Sequence, residues 1–149
     1  NDIDILPIFP ISLKHLYFGF ARVKAIPCYL TNLEVLECAW CCITKIPSEI
    51  KFLKNLKFFE CSENRISVIP PEIKYLTNLE IFSIYATDIS VLPGELKQLK
   101  KLKYIVLDQL DFLDDEVYYK SNIKFLSDNG GFDFETGSAN RHFRRLYNH

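Results

Sequence analysis

The chain has 149 residues, 48% of them hydrophobic and 25% charged, with a formal net charge of −1 and a pI near 6.3. That length fits one domain with enough apolar side chains for a sizeable core. The near-neutral charge argues against a broad surface for nucleic acid or anionic membrane, and no run approaches the ~20 consecutive apolar residues of a membrane-spanning helix.

The first seven residues match a later stretch column by column: Asn1 with Asn64, Ile3 with Ile66, Leu6 with Ile69 and Pro7 with Pro70. The chain therefore opens part-way through a repeating unit, and it carries neither a methionine nor a secretory leader pattern at its start. A stacked array needs a cap over its first core layer. We accordingly expect a segment of a longer protein, or an uncapped N-terminal edge through which two copies form a homodimer.

An aliphatic residue followed by proline recurs at Leu6-Pro7, Ile26-Pro27, Ile46-Pro47, Ile69-Pro70 and Leu92-Pro93, in steps of 20, 20, 23 and 23 residues. A period in this range marks a solenoid, in which each repeat buries its apolar face only against its neighbours. Five registers align between the prolines. The first is Leu13, Leu16, Phe18, Ala21 and Val23, and the second is Leu33, Leu36, Cys38, Cys41 and Ile43. Leu56, Phe59, Cys61, Asn64 and Ile66 follow, then Leu79, Phe82, Ile84, Thr87 and Ile89, then Leu102, Ile105, Leu107, Leu110 and Phe112. The alternation within each register is that of a short strand, with columns four and six inward and columns three, five and seven outward. Strands from successive turns would then stack in parallel at ~4.8 Å.

The shared pattern, LxxLxLxxNxLxxLP, resembles the leucine-rich repeat family from Asn1 to about Phe112. The resemblance implies an α/β solenoid, a right-handed horseshoe with a parallel β-sheet on its concave face. It also implies an amide in the Asn column that satisfies backbone groups where the strand turns away. Only Asn64 fills that column; Ala21, Cys41, Thr87 and Leu110 do not, although Cys and Thr retain some donor capacity.

Repeat length predicts the convex side. In the 23-residue turns, apolar residues lie three apart, as at Ile50, Leu53 and Leu56, behind a proline suited to a first helical position. These turns are expected to carry short helices. The 20-residue turns, Pro7 to Leu13 and Pro27 to Leu33, lack three residues and should cross in extended form, so the curvature is expected to change near Pro47.

The register fails after Phe112, which divides the chain into a solenoid over 1–113 and a C-terminal cap and tail over 114–149. Asp114, Asp115 and Glu116, followed by apolar residues from Val117 to Leu126, predict a capping helix with acids at its N-terminus and Gly130-Gly131 after its end. The tail from Phe132 carries the basic cluster Arg141, Arg144 and Arg145. It reads as partly ordered, as a final helix from about Asn140, or as a basic docking motif.

Chemistry-bearing motifs are sparse. Cys38 and Cys41 have CxxC spacing, but Cys38 and Cys61 stand in the inward sixth column and Cys41 in the Asn column, and no second pair is spaced for zinc. The odd cysteine count points to a reducing, cytoplasmic compartment. His15, His142 and His149 pair with no nucleophile by recognisable spacing, and no Gly-rich phosphate loop is present. A non-enzymatic chain without metal or cofactor is expected.

The outward columns remain. Column three holds His15, Val35, Phe58, Ile81 and Tyr104; column five includes Tyr17, Glu37 and Glu60; column seven includes Tyr85 and Asp108; column eight includes Phe20, Trp40 and Glu63. Aromatic residues bury much area at low conformational cost and dominate binding hot spots. These thirteen residues are the expected contacts of a protein partner. The competing reading is that column three packs on itself along the ladder, with Phe20 and Trp40 folded over the core edge. The resemblance implies an intracellular protein-interaction module or scaffold. It also admits the substrate-recognition arm of a larger enzyme such as an effector-type ubiquitin ligase, whose 20-residue LP repeats look like the first two turns. A secreted effector of that kind would work in the host cytosol.

Overall fold

The computed structural model describes residues 5–107, 123–127, 132–133 and 138–139. Each aligned register forms a three- or four-residue strand: β1 His15–Tyr17, β2 Val35–Glu37, β3 Phe58–Glu60, β4 Ile81–Ser83 and β5 Tyr104–Leu107. They pair in parallel in chain order, column on column, so that Leu16, Leu36, Phe59, Phe82 and Ile105 lie in line. This is the register that the LxL alternation demands, because a slip of one residue would turn every inward side chain outward.

The core is one continuous stack. Leu33, Leu36, Leu56, Phe59, Leu79, Phe82 and Ile105 are all buried, together with Cys38 and Cys61 in the sixth column. The Phe59 and Phe82 rings stack at 5.3 Å between centroids with an interplanar angle of 17°. Side-chain amides tie one turn to the next. Asn64 donates from Nδ2 toward the carbonyls of Cys38 at 2.8 Å and of Cys61 and Ser62 at 3.0 Å, and its Oδ1 accepts from the Ile43 N–H at 3.1 Å. Thr87 bonds the Ile84 carbonyl at 2.8 Å, and Cys41 reaches the Ala39 carbonyl only at 3.5 Å. The Asn column works as its chemistry requires, unevenly from turn to turn.

The convex helices form, but as 3₁₀ turns of five residues at Ser48–Phe52, Pro71–Tyr75 and Gly94–Gln98. Their bonds run three residues back, as Ile50 N–H to Pro47 at 3.0 Å, Leu53 N–H to Ile50 at 3.0 Å and Leu56 N–H to Leu53 at 3.1 Å. A 3₁₀ helix has about three residues per turn, so side chains three apart eclipse. That turns Ile50 and the capping Leu53 inward together, and a further three-residue turn beyond the helix brings in Leu56, so all three are buried. The two 20-residue turns cross without helix, as expected. No α-helix is present among the described residues, and no helix there is long and apolar enough to cross a membrane.

The C-terminal expectation needs correction. Most of the anticipated capping helix lies outside the described residues, but its end, Lys124–Ser127, is a sixth parallel strand, β6, beside β5. It returns to a 20-residue step after three of 23, with Tyr104 opposite Lys124, and gives the backbone groups of β5 a partner along what would otherwise be an open edge. The sheet thus runs beyond residue 113. Phe132–Asp133 and Ser138–Ala139 form an antiparallel pair, β7 and β8. The anticipated helix from Asn140 and the basic cluster lie outside the described residues.

Candidate functional site

The outer sheet face divides into two parts. Toward β1 it is open: His15 is exposed, and Tyr17, Phe20 and Trp40 expose 59, 76 and 46% of their surface. Toward β5 it is closed. Val35, Phe58, Ile81 and Val106 form a buried apolar strip with Tyr104 packed against it, distinct from the main core. Of the expected contact residues, Val35, Phe58, Ile81 and Glu60 are therefore buried in this structure, because outward side chains of adjacent parallel strands pack on one another. Glu37, Glu63, Tyr85 and Tyr104 are half-buried. Asp108 lies outside the described residues.

The open part has a defined shape. Tyr17, Phe20, Trp40, Glu37, Glu60 and Glu63 line a cleft of about 240 Å³ together with Phe18, Gly19, Ala39 and Ser62. Phe20 and Trp40 stack at 5.6 Å with an interplanar angle of 13°, and His15 meets Tyr17 edge-on at 6.4 Å. Gly19 permits the close approach of the two turns: a Cβ there would stand 2.9 Å from the Ala39 carbonyl oxygen.

Backbone geometry fixes the aromatic wall. Phe20, Trp40, Glu63 and Ala86 occupy the same column, where the strand leaves the sheet, and have φ of 54, 56, 54 and 47°. That left-handed region is costly for a residue with a Cβ and favours glycine or asparagine. The turn is common to the four copies of this column among the described residues, and only the first two place rings on it.

The floor of the cleft is acidic. Register sets Glu60 between Glu37 on β2 and Ser83 on β4. Glu60 is 3% exposed; its Oε1 accepts the Ser62 N–H at 2.7 Å, whereas Oε2 has no hydrogen-bond partner. The adjacent Ser62 and Ser83 hydroxyls are bonded to each other at 2.9 Å. Burial pushes the Glu60 carboxyl up from 4.5 to about 7, helped by the Glu37 charge and opposed by hydrogen bonding from Ser62 and Ser83. Partial burial, then Glu37, raises the Tyr17 phenol.

The four buried thiols are shifted away from reactivity. Cys28, Cys38, Cys41 and Cys61 are buried and free, and desolvation raises all four, Cys28 to about 12. A nucleophilic cysteine needs the opposite shift. Cys38 and Cys61 instead bond the Glu60 and Ser83 carbonyls at 3.3 and 3.5 Å. No cluster of metal-binding side chains occurs among the described residues.

Solved structures share this fold. A Leptospira interrogans leucine-rich repeat protein superposes with a TM-score of 0.59 at 22% identity, covering 80% of this chain and 40% of its own. The functional domain of the Listeria monocytogenes protein InlJ, which includes a cysteine ladder, gives 0.63 at 21% identity, covering 78% and 25%. The chain has the leucine-rich repeat fold. A further leucine-rich repeat neighbour, the L. monocytogenes internalin InlF, matches at 26% identity with a TM-score of 0.60, over 77% of this chain and 34% of that one. The repeat protein thus spans between a quarter and two fifths of the length of these three. No protein-family model and no curated protein matches it.

Two networks escaped the sequence reading. Asn32, Asn55 and Asn78, each just before the first leucine of its register, donate to the carbonyls of Ile11, Thr31 and Lys54 at 3.0, 3.1 and 2.8 Å. Column two alternates in charge along the leucine-rich repeat stack. Lys14 and Lys57 reach Glu34 at 3.2 and 2.7 Å, and Lys103 reaches Glu80 at 2.7 Å. Writing out the two columns beside the first leucine would have shown both.

Proposed function

We propose that this leucine-rich repeat protein binds a protein partner through the β1–β2 end of its concave face. The fold is in general a protein-interaction module. What carries the reading is the stacked pair Phe20 and Trp40, held exposed on costly left-handed backbone beside Tyr17 and an acidic floor. Large exposed rings beside a shaped cleft are what a binding hot spot requires. Strained backbone of this kind tends to persist where it serves a site.

The test is affinity capture on the 149-residue chain against a Tyr17→Ser, Trp40→Ser variant whose circular dichroism matches the parent. A partner retained by the parent and lost by the variant is expected. Equal recovery by both would place the binding surface elsewhere.

A further inference from the structure

Resting on that reading of the concave face, we propose that the cleft receives the guanidinium group of an arginine presented by the protein partner, with Glu60 as its buried anion.

The first support is an incomplete hydrogen-bond inventory. A buried polar atom is normally paired, and leaving one unpaired is costly. Glu60 lines the cleft, yet its Oε2 has no partner while Oε1 does. A carboxylate with one oxygen committed to a backbone N–H and the other unmet is half of a charge-assisted pair.

The second support is the wall. A guanidinium is planar, stacks on aromatic faces and is more weakly hydrated than an ammonium, so it enters a desolvated aromatic site at lower cost than lysine does. Trp40 and Tyr17 supply such faces beside Glu60, and Glu37 and Glu63 add negative charge around them. The volume, about 240 Å³, is smaller than the ~300 to 1,000 Å³ of small-molecule sites and suits one inserted side chain.

Binding should be linked to protonation. The groups around Glu60 are Glu37 in direct register, Tyr17 and Glu63 along the cleft, and the buried thiols of Cys38 and Cys61. Those thiols are held well above their ordinary value and stay neutral below pH 8. Arginine keeps its charge throughout, so its affinity should follow ionisation of Glu60, with a folded value of about 7.

Trp40 is the only tryptophan, so its emission reports occupancy directly. The probe is acetyl-Gly-Arg-Gly-amide titrated into the full chain, with the citrulline peptide as its neutral isostere. At pH 8 a saturable change in emission is expected, at least tenfold weaker for citrulline, at least tenfold weaker in Glu60→Gln, and weakening as pH falls from 8 to 5.5. Equal affinity for citrulline, or for Glu60→Gln with unchanged circular dichroism, overturns the proposal. Binding only after Arg141, Arg144 and Arg145 are all replaced by alanine also overturns it, since the occupant would then be the chain's own basic segment. If neither the parent nor that variant binds the peptide while Tyr17→Ser, Trp40→Ser still abolishes partner capture, the arginine assignment fails and the concave-face reading stands.

Discussion

The two 20-residue turns and the 23-residue turns that follow share one core pattern and differ in almost everything else. In the longer turns a 3₁₀ segment crosses the convex side, the Asn column supplies real hydrogen bonds at Asn64 and Thr87, and outward residues such as Ile81 and Ser83 are buried. In the shorter ones the crossing is extended, Ala21 and Cys41 bring little or nothing to the same column, and Tyr17, Phe20 and Trp40 are exposed. The inner face of a solenoid is constrained by stacking, so its chemistry repeats. The outer face is free to diverge, and here it has done so at one end.

The largest expected effect tests whether stability is concentrated in the longer turns. An amide has two N–H groups, so Asn64 shares them among three carbonyls while also accepting the Ile43 N–H. Asn64→Ala leaves several of these buried groups unsatisfied and should cost about 3 to 4 kcal/mol, against about 1 kcal/mol for the single bond lost in Thr87→Ala. Urea denaturation measures both. Equal costs would mean that the Asn column does not distinguish the turns.

Glu60, at the junction of the two regions, gives the next effect. An acid whose folded value, about 7, lies above its ordinary 4.5 binds its proton more tightly in the folded state. Its stability penalty is absent below pH 4.5, grows as pH rises, and is complete above 7. Glu60→Gln should therefore stabilise the chain by about 2 to 3 kcal/mol at pH 8 and leave it nearly unchanged at pH 4. A pH series of urea midpoints for parent and variant reads this directly. A gain of equal size at both pH values would assign the effect to packing instead of charge.

Most of the fold was legible because a solenoid repeats its constraints. Five copies of the inward columns determine the strand register, and apolar spacing of three at Ile50, Leu53 and Leu56 marked a short helix without distinguishing its 3₁₀ form from the α form. The strand Lys124–Ser127 was not legible, since its segment lacks the LxxLxL signature and only the 20-residue step from Tyr104 marks it. For the candidate site, the sequence assigned outward columns without saying which outward residues stay accessible. Val35, Phe58 and Ile81 share a column with exposed His15, and their burial depends on neighbours one turn away. The burial of Glu60, in an outward column between Glu37 and Ser83, likewise cannot be read from its own turn alone.

The smallest effect separates the cost of the turn from its use. Phe20, Trp40, Glu63 and Ala86 all carry positive φ, but Ala86 brings neither a ring nor a charge to that position. Ala86→Gly relieves the left-handed strain at the expense of a more flexible unfolded chain, and should stabilise by about 1 kcal/mol. Trp40→Gly gains the same relief but forfeits the stacking on Phe20, a contact type worth about 0.5 to 1.5 kcal/mol, along with the rest of the ring's partial burial. Thermal melts should accordingly show Ala86→Gly above the parent and Trp40→Gly at or below it. If both variants melted higher by the same amount, the rings at the β1–β2 end would contribute nothing to stability, and their presence on strained backbone would be owed entirely to the partner they bind.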